Sequence, residues 1–270
     1  CRIPKCSCEE YNQKFFNAIR RFPGNIDATK KTLDNWRTEI PALFGFYNED
    51  KANGVTETSE MARFLHENQD LTQFLRLFLL SFQFPGGHLK PNDVRDIISH
   101  GIKFKPTKTI IEVLMAGNQI LAEKGKDKQM SITAEEATYC IFNDIRVTSG
   151  KVSAFTIAET ILNNRINKVK YYNTKDPKSQ SLRGTARSKG DMTRYAGDIL
   201  DYMEIANLLV KTHGYFTLKG NEYGALKTFT EDKTWFDGYD KFFGQKKVDT
   251  IELTRMEPYW FDYVNDSMNP

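Results

Sequence analysis

DATKKTLDNWRTEIPALFGFYNEDKANGVTETSEMARFLH, residues 27–66, is the stretch whose pattern decides the fold. Between Ala28 and Phe44, the residues Leu33, Trp36, Ile40, Leu43 and Phe44 recur at helical spacing and form one apolar face. Lys31, Asn35 and Thr38 lie opposite, with Lys30, Asp34 and Arg37 at the edges. GFYNEDKANGVTET follows, two short extended runs around a polar tip whose Asn53-Gly54 is a hairpin signal. A second helix starts at once, capped by Thr58 or Ser59, with Glu60 near its positive end and Met61, Phe64 and Leu65 as its stripe. Helix, hairpin and helix in this order make the back half of a winged helix, a module that lays the helix before the hairpin in the DNA major groove.

Upstream, Glu9 to Phe22 reads as a helix with Phe15, Phe16, Ile19 and Phe22 on one side, ended by Pro23-Gly24-Asn25, and Asp27 can cap the helix that follows. The tight turn before the Lys30 helix completes a helix-turn-helix. Pro41 breaks the local rule, so the helix is expected to kink or end near Ile40. Downstream, residues 70–84 form another apolar helix. Gly86, Gly87, Pro91, Gly101 and Pro106 then punctuate a connector around a short helix at Val94 to Ile98. Helices are expected at Ile110 to Leu121, at Ala134 to Asn143 behind a Thr133 cap, and at Thr156 to Arg165.

The segment 165–194 is the most biased in the chain, with nine Lys or Arg against only Asp176 and Asp191. Such a segment repels itself until it meets an acidic partner, and duplex phosphates are the obvious one. Beyond it the opening order returns. Tyr195, Ile199, Tyr202, Met203, Ala206 and Leu209 stripe a helix, a hairpin turns around Thr212-His213-Gly214, and Asn221 caps a helix to Phe229. The tail, 231–270, holds nine aromatics in 40 residues, a density that means packing, expected either against the second unit or at the start of an interface to a further domain. The expected fold is therefore mainly α with small β-hairpin wings, an α+β chain of tandem winged-helix subdomains. Residues 1–90 would form the first with an N-terminal arm, 91–106 a connector, 107–230 the second with the basic insert 165–194, and 231–270 a docking tail.

A formal charge of +3 over 270 residues is too mild to establish a nucleic-acid partner by itself, so the placement of the cations carries the argument. The candidate DNA contacts are Arg2 and Lys5 in the arm, and Lys30, Lys31, Asp34, Asn35, Arg37 and Thr38 on the first reading helix. Lys168, Lys170, Arg183, Arg187, Ser188, Lys189, Thr193 and Arg194 continue the set through the insert into the second reading helix. Arg and Lys pair bidentately with guanine, Asn with adenine, and Asp accepts from cytosine. Trp36 falls in the apolar stripe and reads as core. Cys1, Cys6 and Cys8 do not have the spacing of a zinc site, and three of four cysteines at one end do not make a disulfide framework, so no metal and a reducing cytoplasm are expected. The apolar run Phe74 to Phe84 carries Arg76 and is too short to span a bilayer. The absence of an initiator Met suggests a piece of a longer protein.

TKKTLDNWRTEI (29–40), FLLSFQFP (78–85) and LDYMEIANLL (200–209) with its hairpin resemble the N-terminal DNA-recognition domain of type IIS restriction endonucleases of the BpuJI kind, with relatives in the AlwI group. The resemblance implies a monomeric reader of a short asymmetric site in the major groove. It also implies a separate C-terminal nuclease domain that holds Mg²⁺ and cuts at a distance. The acid-x-Lys such a nuclease needs is not found here: Asp249 with IELTR and Asp127 in GKDKQ lack the strand or the lysine. No catalytic residue is therefore assigned. A tandem winged-helix transcription regulator and a protein-binding winged-helix pair are the alternative readings.

Overall fold

The computed structural model describes residues 9–50, 55–171 and 189–266. The chain enters through α1 (Glu9–Arg20) and a single 3₁₀ turn at Pro23–Asn25. Thr29 then starts α2 (Lys30–Leu43), its Oγ1 accepting the Thr32 amide at 3.2 Å, as an N-cap does. Contrary to the expected break at Ile40, α2 runs through Pro41. Only the last turn lies beyond the proline, so the ring removes one backbone donor where few helical bonds remain to be lost. The antiparallel hairpin β1 (Tyr47–Asp50) and β2 (Val55–Thr58) pairs Tyr47 with Thr58 and Asp50 with Val55; its Asn53-Gly54 tip lies outside the described residues. Of the two possible caps, Ser59 starts α3 (Glu60–Asn68).

Asp70 caps α4 (Leu71–Ser81), whose buried face is Phe74, Leu75, Phe78 and Leu79. The apolar run leaves the helix at Phe82, and Phe84 bonds Phe104 in an isolated antiparallel bridge. The punctuated stretch that follows is packed: α5 (Pro91–Ser99) buries Val94, Ile97 and Ile98 in the same core. α6 (Pro106–Glu123) comes next. β3 (Ser131–Thr133) leads into α7 (Ala134–Ala137) through a capping box of Thr133 and Glu136. A π turn at Thr138–Phe142, α8 (Ile145–Thr148) and α9 (Ala154–Ile166) complete the middle of the chain.

α10 (Lys189–Ile205) then precedes β4 (Leu209–Thr212) and β5 (Tyr215–Leu218). β5 pairs with both β4 and β3, giving a three-stranded antiparallel sheet of order β3-β5-β4. The positive φ of His213 and Gly214 closes the β4–β5 turn. After a 3₁₀ turn at Gly220–Glu222, α11 (Tyr223–Glu231) starts from Glu222 rather than Asn221. The tail adds α12 (Thr250–Thr254) and α13 (Glu257–Asp266). The architecture is mostly helical with a small antiparallel sheet. Among the described residues no helix is long and apolar enough to cross a membrane.

The tail does not dock on the second unit as expected. α13 packs against β1, α3 and α4, and α12 against α5. Asn265 Oδ1 accepts the Met61 amide at 3.1 Å, and Trp260 lies so close to Gly87 that a Cβ there would come within 2.6 Å of its side chain. Buried Phe236, Tyr239, Trp260 and Phe261 explain the aromatic density: they finish the core of the first half.

Cys140 is buried in the π turn near Tyr171, and burial pushes its thiol up to about 11. Since the thiolate is the reactive form, Cys140 should resist iodoacetamide at pH 8 in the folded protein and react once it is unfolded. Peptide mapping of the two samples by mass spectrometry checks this; equal labelling would show an open thiol.

Candidate nucleic-acid interface

On α2, Leu33 is fully buried and anchors the helix, which leaves Lys30, Lys31 and Asn35 exposed and Asp34 half-buried. Arg37 and Thr38 are positions on the same helix, but their side chains fall outside what the structure describes. The Lys30 and Lys31 side chains leave from the first turn, beside the unpaired amides of a helix N-terminus, so that turn offers several donors to an anion.

α10 is held by Ala196, Ile199, Leu200 and Met203, all buried. Arg194 is exposed, its guanidinium 5.5 Å from the centre of the Tyr195 ring. Lys189 and Thr193 lie on the first turns of α10 with side chains outside the description; Arg2, Lys5, Arg183, Arg187 and Ser188 lie outside the described residues altogether. Lys168 and Lys170 are exposed where the chain leaves α9.

The structure brings together what the sequence kept apart. Trp36, Glu39, Ile40 and Leu43 of α2 face Arg194, Tyr195, Asp198 and Tyr202 of α10 across a cleft of about 570 Å³, with the 88–93 segment as its third wall. A smaller apolar pocket of about 110 Å³, lined by Phe78, Phe82, Phe84 and Phe142 among others, lies between the same two helices. Trp36 is therefore only half-buried and lines an open cleft, which corrects its reading as core. Of the α2 stripe, Leu33 is fully buried, whereas Trp36, Ile40 and Leu43 line the cleft.

The charges around the cleft are mixed: Glu39, Asp93 and Asp198 against Lys90 and Arg194. Partial desolvation raises the Asp198 carboxyl above the usual carboxylate range; Arg194 opposes the rise and Asp201 adds to it. Carboxylates here would repel phosphate but accept from the amino groups of bases. Lys90 and Arg194 are the exposed cations on the cleft itself, while the exposed Lys30, Lys31, Lys168 and Lys170 do not line it.

Arg165, counted among the cations of the insert, has another task. It holds Glu136 through two bonds of 2.6 Å and donates to the Ser131 carbonyl at 2.9 Å; the Glu136 bond keeps the guanidinium firmly charged. It also lies 5.8 Å from the Tyr215 ring centre. The pair thus ties α9 to β3, α7 and the β4–β5 hairpin, and Arg165 is committed to the protein rather than to phosphate. In the same hairpin Lys211, itself exposed, is bonded to Asp201 at 2.8 Å, and Val210, Thr212, His213 and Tyr215 are exposed beside it. Glu39, Asp198, Tyr195 and Tyr202 were not among the sequence candidates. Their signal was weak, because each sits at the edge of an apolar stripe and only the facing of two distant helices gives it meaning.

A family model described as the N-terminal part of the restriction endonuclease BpuJI matches residues 1–261. Among solved structures, the chain is similar to the BpuJ1 endonuclease binding domain in a crystal structure with pyrene- and phenanthrene-modified DNA. The TM-score is 0.71 at 23% identity, over 97% of this chain and 87% of that one, which establishes a shared fold. Comparison with curated proteins gives no match.

Proposed function

The chain belongs to the family of BpuJI restriction endonuclease N-terminal domains, and on that premise we propose that it reads a short asymmetric duplex DNA site as the target-recognition part of a type IIS restriction endonuclease. One observation carries the reading: α2 and α10, each followed directly or nearly so by an antiparallel hairpin, flank one cleft, with the exposed Lys90 and Arg194 on its walls. The second unit supports a winged helix further. α10, the β4–β5 wing and α11 follow each other in the expected order of helix, hairpin and helix, and β3, which was not expected, pairs with β5 from before α7, α8, α9 and the insert. The first unit supplies α1, α2 and the β1–β2 hairpin.

Two unlike readers in one chain suit a monomer on an asymmetric sequence, since a two-fold dimer would impose a palindrome. Hydrolysis of the DNA phosphodiester bond belongs, on this reading, to a C-terminal nuclease domain of the parent enzyme, and Mg²⁺ with it. Selection of bound sites from a random duplex library tests the proposal. An asymmetric site bound one-to-one is expected, and a palindrome bound by a dimer would favour a regulator instead. Incubation of this chain with Mg²⁺ and plasmid should leave the plasmid uncut.

Asn35, exposed on α2, is suited to pair with an adenine edge. Asn35→Ala should relax the preference at one position of the selected site by roughly 1–3 kcal/mol while leaving affinity for random duplex unchanged. Competition binding with single-position site variants reads this. An undiminished preference at every position would remove Asn35 from the reading surface.

A further inference from the structure

The geometry points to Arg76 of α4 as the positioning residue that fixes the second reading helix relative to the first, and so as a determinant of sequence specificity that touches no DNA; the inference rests on the function proposed above. Arg76 interrupts an apolar run yet is only a quarter exposed. Its Nε donates to the Ala206 carbonyl, at the C-terminal end of α10, at 2.8 Å, and its Nη2 donates to the Glu222 carboxylate at 2.9 Å. One turn earlier, Thr72 Oγ1 donates to the Ile205 carbonyl at 3.1 Å. A helix ends with unpaired carbonyls and partial negative charge, so a guanidinium at that point satisfies an acceptor and complements the dipole. Here the cap is lent by another part of the chain, and its fork reaches α10 and the start of α11 together. Asn207, in the left-handed region at φ 59°, turns the chain out of α10 at this joint.

The same turns of α4 also hold α2, through Phe74 and Phe78. Phe44, which caps α2, packs on Phe74 and Phe78 of α4 with ring centres 5.5 and 4.9 Å apart, and Tyr202 of α10 lies 5.8 Å from Phe44 and 6.0 Å from Phe78. α4 thereby carries both reading helices on one rigid element. The ring contacts are non-directional and tolerate sliding, whereas the Arg76 fork and the Thr72 bond fix α10 at a definite height and rotation. Base contacts from α2 and α10 can be satisfied together only if that height matches the spacing of the site.

The test compares the parent, Arg76→Ala, Arg76→Lys and Glu222→Gln by competition binding. Each is measured on the selected site, on random duplex, and on sites with one base pair inserted at each internal step. The ratio of selected to random affinity should fall roughly tenfold in Arg76→Ala, and an insertion rejected by the parent should be tolerated at one step, with the salt slope unchanged. Arg76→Lys, which reaches one acceptor instead of two, should show the same change at smaller size and serves if the alanine variant does not fold. Glu222→Gln, which still accepts from Arg76, should stay near the parent. A merely structural role would lower the active fraction equally for every duplex and leave the ratio unmoved. An unmoved ratio in either folded Arg76 variant overturns the inference. A parent without site preference would instead remove the proposed function, and the inference with it.

Discussion

Replacing Lys175, Lys178, Arg183 and Arg187 together by glutamine is expected to cost roughly three to four decades of duplex affinity at 0.1 M salt and to flatten the log–log salt slope by about 3 to 4. The argument is one of charge alone. These four residues supply the cations of the 172–188 stretch against the single acid Asp176. Each phosphate neutralised by a cation releases a condensed counterion and contributes about 0.9 to the slope. Removing all four cations at 0.1 M salt therefore lowers affinity by roughly three to four decades. Glutamine keeps length and polarity, so the connection between Tyr171 and Lys189 is untouched. Base preference should survive, because phosphate contacts position a reader and base edges specify. Electrophoretic mobility shifts between about 50 and 200 mM salt measure both quantities. A slope unchanged within about 1 would assign the insert to solvent rather than DNA.

The local elements were legible because their signals are local. Ser59 and Thr133 cap helices where a short oxygen-bearing side chain precedes an apolar period, whereas α2 starts from Thr29 rather than from the expected Asp27. The stripe of α10 and the β4–β5 hairpin could be read from period and turn residues in the same way. Pro41 misled because a proline's cost depends on how much helix remains beyond it, and that length is set by Phe44 packing on α4.

The site was only half legible. Exposed cations on α2 and at Arg194 follow from the polar face of each helix. That α2 and α10 share one cleft depends on α4 bridging two parts of the chain, which no spacing rule encodes. The tail shows the same limit: its aromatic density announced packing, but its partners on β1, α3 and α4 are fixed by close approaches such as Gly87 under Trp260. Charge counting failed in the opposite direction. Arg165 and Arg76 look alike in composition to a phosphate-binding arginine, and each is instead bonded to a carboxylate and a backbone carbonyl inside the fold.

Asp232→Ala is expected to destabilise the protein by roughly 3–5 kcal/mol at pH 7, since it strands an ammonium in the interior. Lys105 and Asp232 are 11% and 9% exposed and lie 2.5 Å apart. Lys105 Nζ also donates to the Leu80 carbonyl at 2.8 Å and to Thr234 Oγ1 at 3.1 Å, so it closes α6 and the start of the tail onto the end of α4. Burial lowers the Lys105 pKa, and the hydrogen bond and charge of Asp232 hold back that fall. A lysine with a folded pKa below its unfolded value loses its proton earlier in the folded state, so its contribution to stability grows as pH rises toward the unfolded value near 10.4 and is lost as pH falls. Without Asp232 the folded pKa drops further and that window widens downward. The cost of the substitution should therefore be largest at neutral pH and shrink toward pH 10. Asp232→Asn, whose amide oxygen still accepts from the ammonium, should lie between the parent and the alanine variant. Urea unfolding at pH 7 and pH 9.5 separates the cases: equal losses at both, or a loss below about 1 kcal/mol, would mean that water reaches the ammonium in the folded protein and that the pair behaves as a surface ion pair.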